Sequence, residues 1–121
     1  MSDELIFICT HADDDPERAL LPFIAANTAA VAGLPAVVLL TIDGVWLGTK
    51  GMPEKISKEG FPSLDAVCDE FVSNGGEIWL CGTCANPRGI KEDQLVEGAK
   101  ITGAANIIER IVGGAKPISF A

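Results

Sequence analysis

The strongest chemical signal in the chain is Cys81-Gly82-Thr83-Cys84, two cysteines two residues apart. Thiolates attack sulfur electrophiles, carry sulfur as persulfides and bind soft metals, and this spacing lets two sulfurs meet. Arg88 follows on the same stretch, where a cation favours the thiolate over the thiol. The bland alternative is that Cys81 ends a buried strand and Cys84 fills a loop pocket; the two-residue spacing weighs for chemistry. Disulfide exchange of the thioredoxin kind needs its cysteines at the start of a helix after a strand, where the dipole stabilises the thiolate. Gly82, Pro87 and Gly89 oppose a helix running straight through this motif.

Other residues offer weaker chemistry. A structural zinc site usually shows two ligand pairs, whereas this chain has one. Cys9 and His11 complete a four-ligand set only where the loops after the first and third strands touch, so no metal is expected. His11, the one histidine, is either a plain loop residue or a base or proton donor near a thiol. Asp13-Asp14-Asp15 has the oxygen ligands that hard cations take, but consecutive carboxylates at a helix start usually cap it and offset its dipole. Cys68 shares a helical face with Leu64, Val67, Phe71 and Val72 and reads as core packing. Trp79 lies in an apolar strand and reads as core, while Trp46, in a loop, lines a pocket or an interface. No phosphate-cradling G-x-x-x-x-G-K-[ST], no G-x-G-x-x-G after a strand and no G-x-S-x-G occurs, so no cofactor is implied.

The elements that must position these residues alternate. Glu4–Thr10 is an apolar run suited to a strand buried on both faces. Asp15 before Pro16 and Glu17 is a helix-start pattern, predicting a helix from Pro16 to Ala32 that Gly33 ends. Pro35–Ile42 is a second strand with Asp43-Gly44 as its turn. Residues 45–62 read as an irregular segment carrying Lys50, Lys55 and Lys58, of a length usually functional or mobile. Ser63 opens a second helix closed by Gly75-Gly76, and Glu77–Cys81 is the third strand. A short amphipathic piece near Lys91–Glu97, a helix around Gly103–Val112 and a last strand Ala115–Phe120 complete the chain. Such alternation predicts one α/β domain over residues 1–121 with a largely parallel sheet and right-handed crossovers. Ligands sit beyond the carboxyl ends of such strands, so Thr10–Asp15, Asp43–Met52 and Cys81–Gly89 should converge.

Composition narrows the partners. With 121 residues and a net charge of −8, the chain repels a phosphate backbone, and no nucleic acid is expected. Ala19–Ile42 carries no charge, but Gly33 and Pro35 split it into a buried helix and a buried strand, so no membrane is expected. The acidic start Met1-Ser2-Asp3-Glu4 lacks the basic residues of an export signal, making cytoplasm the expectation and reduced thiols with it. Hydrophobic residues reach 48%, an oily composition for so small a domain, and another subunit is expected to cover the surplus.

The order of motifs resembles a known family. An N-terminal strand, then D-D-P-E-R-A leading into an Ala-rich helix, a strand ending in D-G-V, and a later strand running into C-G-T-C-A-N-P-R-G-I are similar to the DsrE/DsrF family, specifically its YchN-like branch. The resemblance implies a flavodoxin-like three-layer α/β/α fold with a mostly parallel sheet of about five strands, assembly as a homotrimer or homohexamer, and for several members a part in sulfur trafficking. Carried over residue by residue, it makes Cys81 the cysteine that accepts sulfur as a persulfide, Cys84 the second cysteine of the motif, and Arg88 the motif arginine. It thus implies a small persulfide carrier or sulfurtransferase-like relay component with a sulfur donor or acceptor protein as partner. A non-catalytic oligomeric module that senses redox state or holds a metal through the cysteine pair is the alternative.

Overall fold

The computed structural model describes residues 3–120; Met1 and Ser2 of the acidic start, and Ala121, lie outside the described residues. Five strands, β1 (Leu5–Cys9), β2 (Ala36–Leu40), β3 (Glu77–Cys81), β4 (Ala99–Thr102) and β5 (Lys116–Ser119), form one sheet. Their order is β4-β3-β2-β1-β5, and every pairing is parallel. Helices α1 (Pro16–Val31), α2 (Leu64–Ser73), the single turn α3 (Gly82–Ala85) and α4 (Ala104–Val112) connect them. Helical and sheet layers together make the three-layer, flavodoxin-like α/β/α arrangement.

Strand order explains why the two faces differ. From β1 to β4 the chain steps across the sheet in one direction, so right-handed crossovers place α1 and α2 on one face. The return from β4 to β5 runs the other way and places α4 on the opposite face. Alternation along each strand divides the side chains accordingly. Phe7, Cys9, Val38, Leu40, Ile78 and Leu80 point into the core under α1 and α2. Ile6, Val37, Leu39 and Trp79 point toward α4.

The α1/α2 core is deep. Leu20, Phe23, Leu64 and Phe71 are fully buried there, and Phe23 meets Phe71 edge-to-face with ring centroids 6.3 Å apart. Asp15 caps α1, its Oδ1 accepting from the Arg18 amide at 3.1 Å, with Pro16 at the first helical position as the sequence pattern predicts. Residues 45–62 are more regular than expected. Ile42–Gly48 and Pro53–Lys55 are 3-10 turns whose Val45, Leu47 and Pro53 are buried, joined by Ile56, so this segment closes the end of the core. Trp46 packs against the same core as a partly buried residue.

Two local expectations are corrected. β4 falls within a stretch read as a connection between an amphipathic piece and a helix; it is a four-residue edge strand, Ala-Lys-Ile-Thr, with an exposed lysine and no buried position. Helical backbone does run through the cysteine motif, as the α-turn Gly82–Ala85 continues into a 3-10 turn over Asn86–Arg88. Pro87 is tolerated because it stands in the first positions of that 3-10 turn, and Gly89, at φ 73°, ends it in the left-handed region glycine adopts freely.

Candidate functional site at the carboxyl ends of β2 and β3

Cys81 is the last residue of β3 and the N-cap of α3, with Cys84 in the same helical turn. Both thiols are free and partly buried. Strand alternation turns Cys81 toward the α4 face, where it packs beside the Trp79 cluster, while Cys84 packs against the core under α1 and α2. The pair therefore divides between two layers at one edge of the sheet.

Arg88 ties this edge together. Its Nη1 donates to the Cys84 carbonyl at 3.0 Å and its Nη2 to Asp43 Oδ1 at 3.0 Å. Arg88 thus closes the turn that carries both cysteines and joins it to the loop after β2. Asp43 shares the guanidinium's charge, so the cation faces a carboxylate as well as the thiol turn. Of the three loops expected to converge, those after β2 and β3 meet through this pair. Those after β1 and β2 meet through backbone, since the Thr41 amide donates to the Cys9 carbonyl at 2.9 Å.

The remaining candidates serve local structure. His11 Nδ1 lies 2.7 Å from Asp14 Oδ2, and Asp14 Oδ1 accepts from the Ala12 amide at 2.8 Å. These bonds to His11 and Ala12 hold the Asp14 carboxyl below the usual carboxylate range. Asp15 is lowered by bonds from Arg18. Asp14 thus closes the loop and Asp15 caps the helix. Cys9 is turned away from the β2–β3 edge: its thiol is buried under α1, near the carbonyls of His11, Arg18 and Ala19. Burial pushes it up to about 12, so it stays protonated and does not join Cys81, Cys84 and His11 in a ligand set. Cys68, buried on α2, is likewise pushed up to about 12, first by burial and then by the carboxylate of Asp69. Among the described residues, no group of three His, Cys, Asp or Glu side chains stands close enough to hold a metal. No helix of the described residues is long and apolar enough to cross a membrane.

Lys50 is fixed to the 92–94 turn, its amide donating to the Gln94 carbonyl at 2.8 Å, and Lys55 and Lys58 are exposed. Trp79 is fully buried, with Lys100 Nζ 5.4 Å and Arg110 Cζ 5.1 Å from its ring, so it is core with cations at its faces.

Two site residues were missed in the sequence. Asp43 is legible as a turn residue, but nothing in the chain order signals that its carboxylate meets Arg88, 45 positions on. Ile42 has φ 55°. A β-branched residue in that region stores strain of order 1–3 kcal/mol, and the Asp43-Gly44 signal places such a conformation elsewhere in the turn.

Comparison with known proteins agrees with the fold and the family resemblance. The chain is 33% identical over 106 residues to the uncharacterized protein MJ0760 of Methanocaldococcus jannaschii, a match covering 88% of this chain but 38% of that protein. It is 28% identical over 107 residues to the uncharacterized protein MK0008 of Methanopyrus kandleri, covering 88% of this chain and 84% of that one. Among solved structures, the YchN protein of E. coli superposes with a TM-score of 0.79 at 20% identity, over 99% of this chain and 100% of that one. MTH1491 of Methanobacterium thermoautotrophicum, a protein of unknown function, superposes with a TM-score of 0.76 at 18% identity, over 97% and 98%. The DsrE/DsrF-like family model matches residues 3–120. With the parallel five-stranded sheet and the cysteine turn at its carboxyl edge, this match means that the chain belongs to the DsrE/DsrF-like family and has the fold of its YchN-like branch.

Proposed function

We propose that this protein is a sulfur carrier in which Cys81 takes up sulfur as a persulfide and delivers it to an acceptor thiol. The carrying observation is a free, partly exposed thiol at the carboxyl end of β3, in the turn closed by Arg88. Membership of a family associated in general with sulfur relay supports the same reading. In the uptake step the Cys81 thiolate attacks the outer sulfur of a donor persulfide, R–S–SH. A Cys81 S–S bond forms, the donor S–S bond breaks and the donor leaves as its thiolate, with no net oxidation or reduction. Cys84 resolves or modulates the persulfide, and Arg88 closes the turn that carries both cysteines while Asp43 fixes its guanidinium.

The reading includes self-association as a trimer or hexamer. α4 buries none of its own residues and leaves Ile108 60% and Val112 81% exposed, an apolar surface that another copy would cover.

Intact mass spectrometry of reduced protein exposed to a small persulfide tests the carrier role. The expected result is a gain of one sulfur atom, abolished in Cys81→Ser and retained in Cys68→Ser. A Cys84→Ser protein, which lacks the thiol that resolves the persulfide, overturns the reading when it gains no sulfur. Loss of two hydrogens without added sulfur would instead identify a redox-active Cys81–Cys84 pair.

A further inference from the structure

Ile42 combines two unfavourable features at one position. It is the one non-glycine residue with positive φ among the described residues, at 55°, although branching at Cβ disfavours that region. Its side chain is also 53% exposed and belongs to neither core cluster. Glycine or asparagine would take the same backbone conformation with less strain, so folding alone gives no reason for an isoleucine.

The surroundings fix the strain in place. The Gly44 amide donates to the Thr41 carbonyl at 2.9 Å, and a Cβ on Gly44 would lie 2.3 Å from the Cys9 carbonyl oxygen, so the corner is pressed against β1. Asp43, the next residue, is held by Arg88. Strain over-determined in this way clusters at ligand-contacting sites. The location fits: Leu40 pairs with Leu80, which sets Thr41 level with Cys81 and Ile42 one residue beyond it. The Ile42–Gly48 turn packs against both β3 and α3.

We propose that Ile42 is a specificity-determining contact of the thiol site, held out by its strained backbone to receive the apolar body of a small sulfur compound, an alkyl or aryl thiol or persulfide. The proposal rests on Cys81 or Cys84 being an accessible, reactive thiol, as in the carrier reading, but not on sulfur transfer. Failure of transfer therefore leaves it standing, and its own failure leaves transfer standing.

The test compares two maleimides that share a reacting group and differ in body, N-phenylmaleimide and N-methylmaleimide. Modification of Cys81 and Cys84 is followed by peptide mapping, and the rate ratio is divided by the ratio for glutathione. Wild type is expected to favour the phenyl reagent by roughly threefold or more, the size of one apolar contact. Ile42→Gly and Ile42→Asn should bring the ratio to that of glutathione with an unchanged or higher melting temperature, whereas Ile42→Leu should keep it. An unchanged ratio in Ile42→Gly, or a wild-type ratio equal to that of glutathione, overturns the proposal. So does a ratio that falls only together with the melting temperature in both the glycine and the asparagine variants.

Discussion

The two faces of the sheet are built to different standards. Under α1 and α2 lies a continuous core that includes Phe23, Phe71, Leu20 and Leu80, all fully buried. On the other face a small cluster of Ile6, Val37, Leu39, Trp79 and Ala115 is covered by one helix that buries none of its own residues. Three of the four thiols follow the same division, Cys84 packing against the deep core while only partly buried. Cys9 and Cys68 sit in the deep core with raised values near 12, while Cys81 looks toward the thin face. Depth makes a cysteine inert, and an edge between a finished face and an unfinished one leaves it available.

The largest expected effect lies in the deep core. Phe71→Ala removes a fully buried ring and its edge-to-face partner, and should cost about 3–5 kcal/mol in denaturant unfolding. A loss under 1 kcal/mol would mean that this face is not the principal core. Alkaline pH probes the same face more gently. Below pH 9 folded and unfolded chains both keep the protons of Cys9 and Cys68. Between 9 and about 12 the unfolded chain sheds protons that the folded chain retains, so stability falls as pH rises. The slope should approach 1.4 kcal/mol per pH unit for each thiol, roughly the value of one pKa unit, and should shrink in Cys68→Ala. The smallest effect on stability belongs to the thin face. Ile108→Asp should change the stability of the isolated chain by about 0.5 kcal/mol or less, because the side chain is 60% exposed. Its light-scattering mass, however, should drop from a multiple of the chain mass to the 12.7 kDa of one chain. A wild-type protein already at that mass would break the comparison from the other side.

How far the sequence reveals this molecule depends on the same division. The deep face is legible because its elements carry local signals: Asp15-Pro16 starts α1, and Glu77–Cys81 has the strand bounds expected of it. β4 escapes notice because an edge strand of four residues, with Lys100 exposed at its centre, has neither a long apolar run nor clear alternation. The cysteine turn is visible as composition, yet its conformation is not. Gly82 and Pro87 disfavour a long helix, but they permit one α-turn and one 3-10 turn in succession. The division of Cys81 and Cys84 between layers follows from strand parity at Cys81 combined with the turn that begins after it, and only the first of these is local. The meeting of Arg88 with Asp43, and the left-handed backbone at Ile42, depend on how neighbouring strand ends abut.

The clamp that holds α4 bears on the order in which the chain comes together. Arg110 grips Glu4 with two bonds, Nε to Oε1 at 3.0 Å and Nη2 to Oε2 at 2.9 Å, and β5 pairs Leu5 with Lys116. Both contacts join the two ends of the chain. The pairings of β1 with β2 and of β2 with β3 close much shorter loops. Loop-closure entropy and sequence separation therefore place the docking of α4 and β5 last. Until that moment Trp79 and the strand residues beside it have no cover. The surface completed last is thus continuous with the exposed Ile108 and Val112 of α4, so the side of the sheet closed last is also the side left least covered.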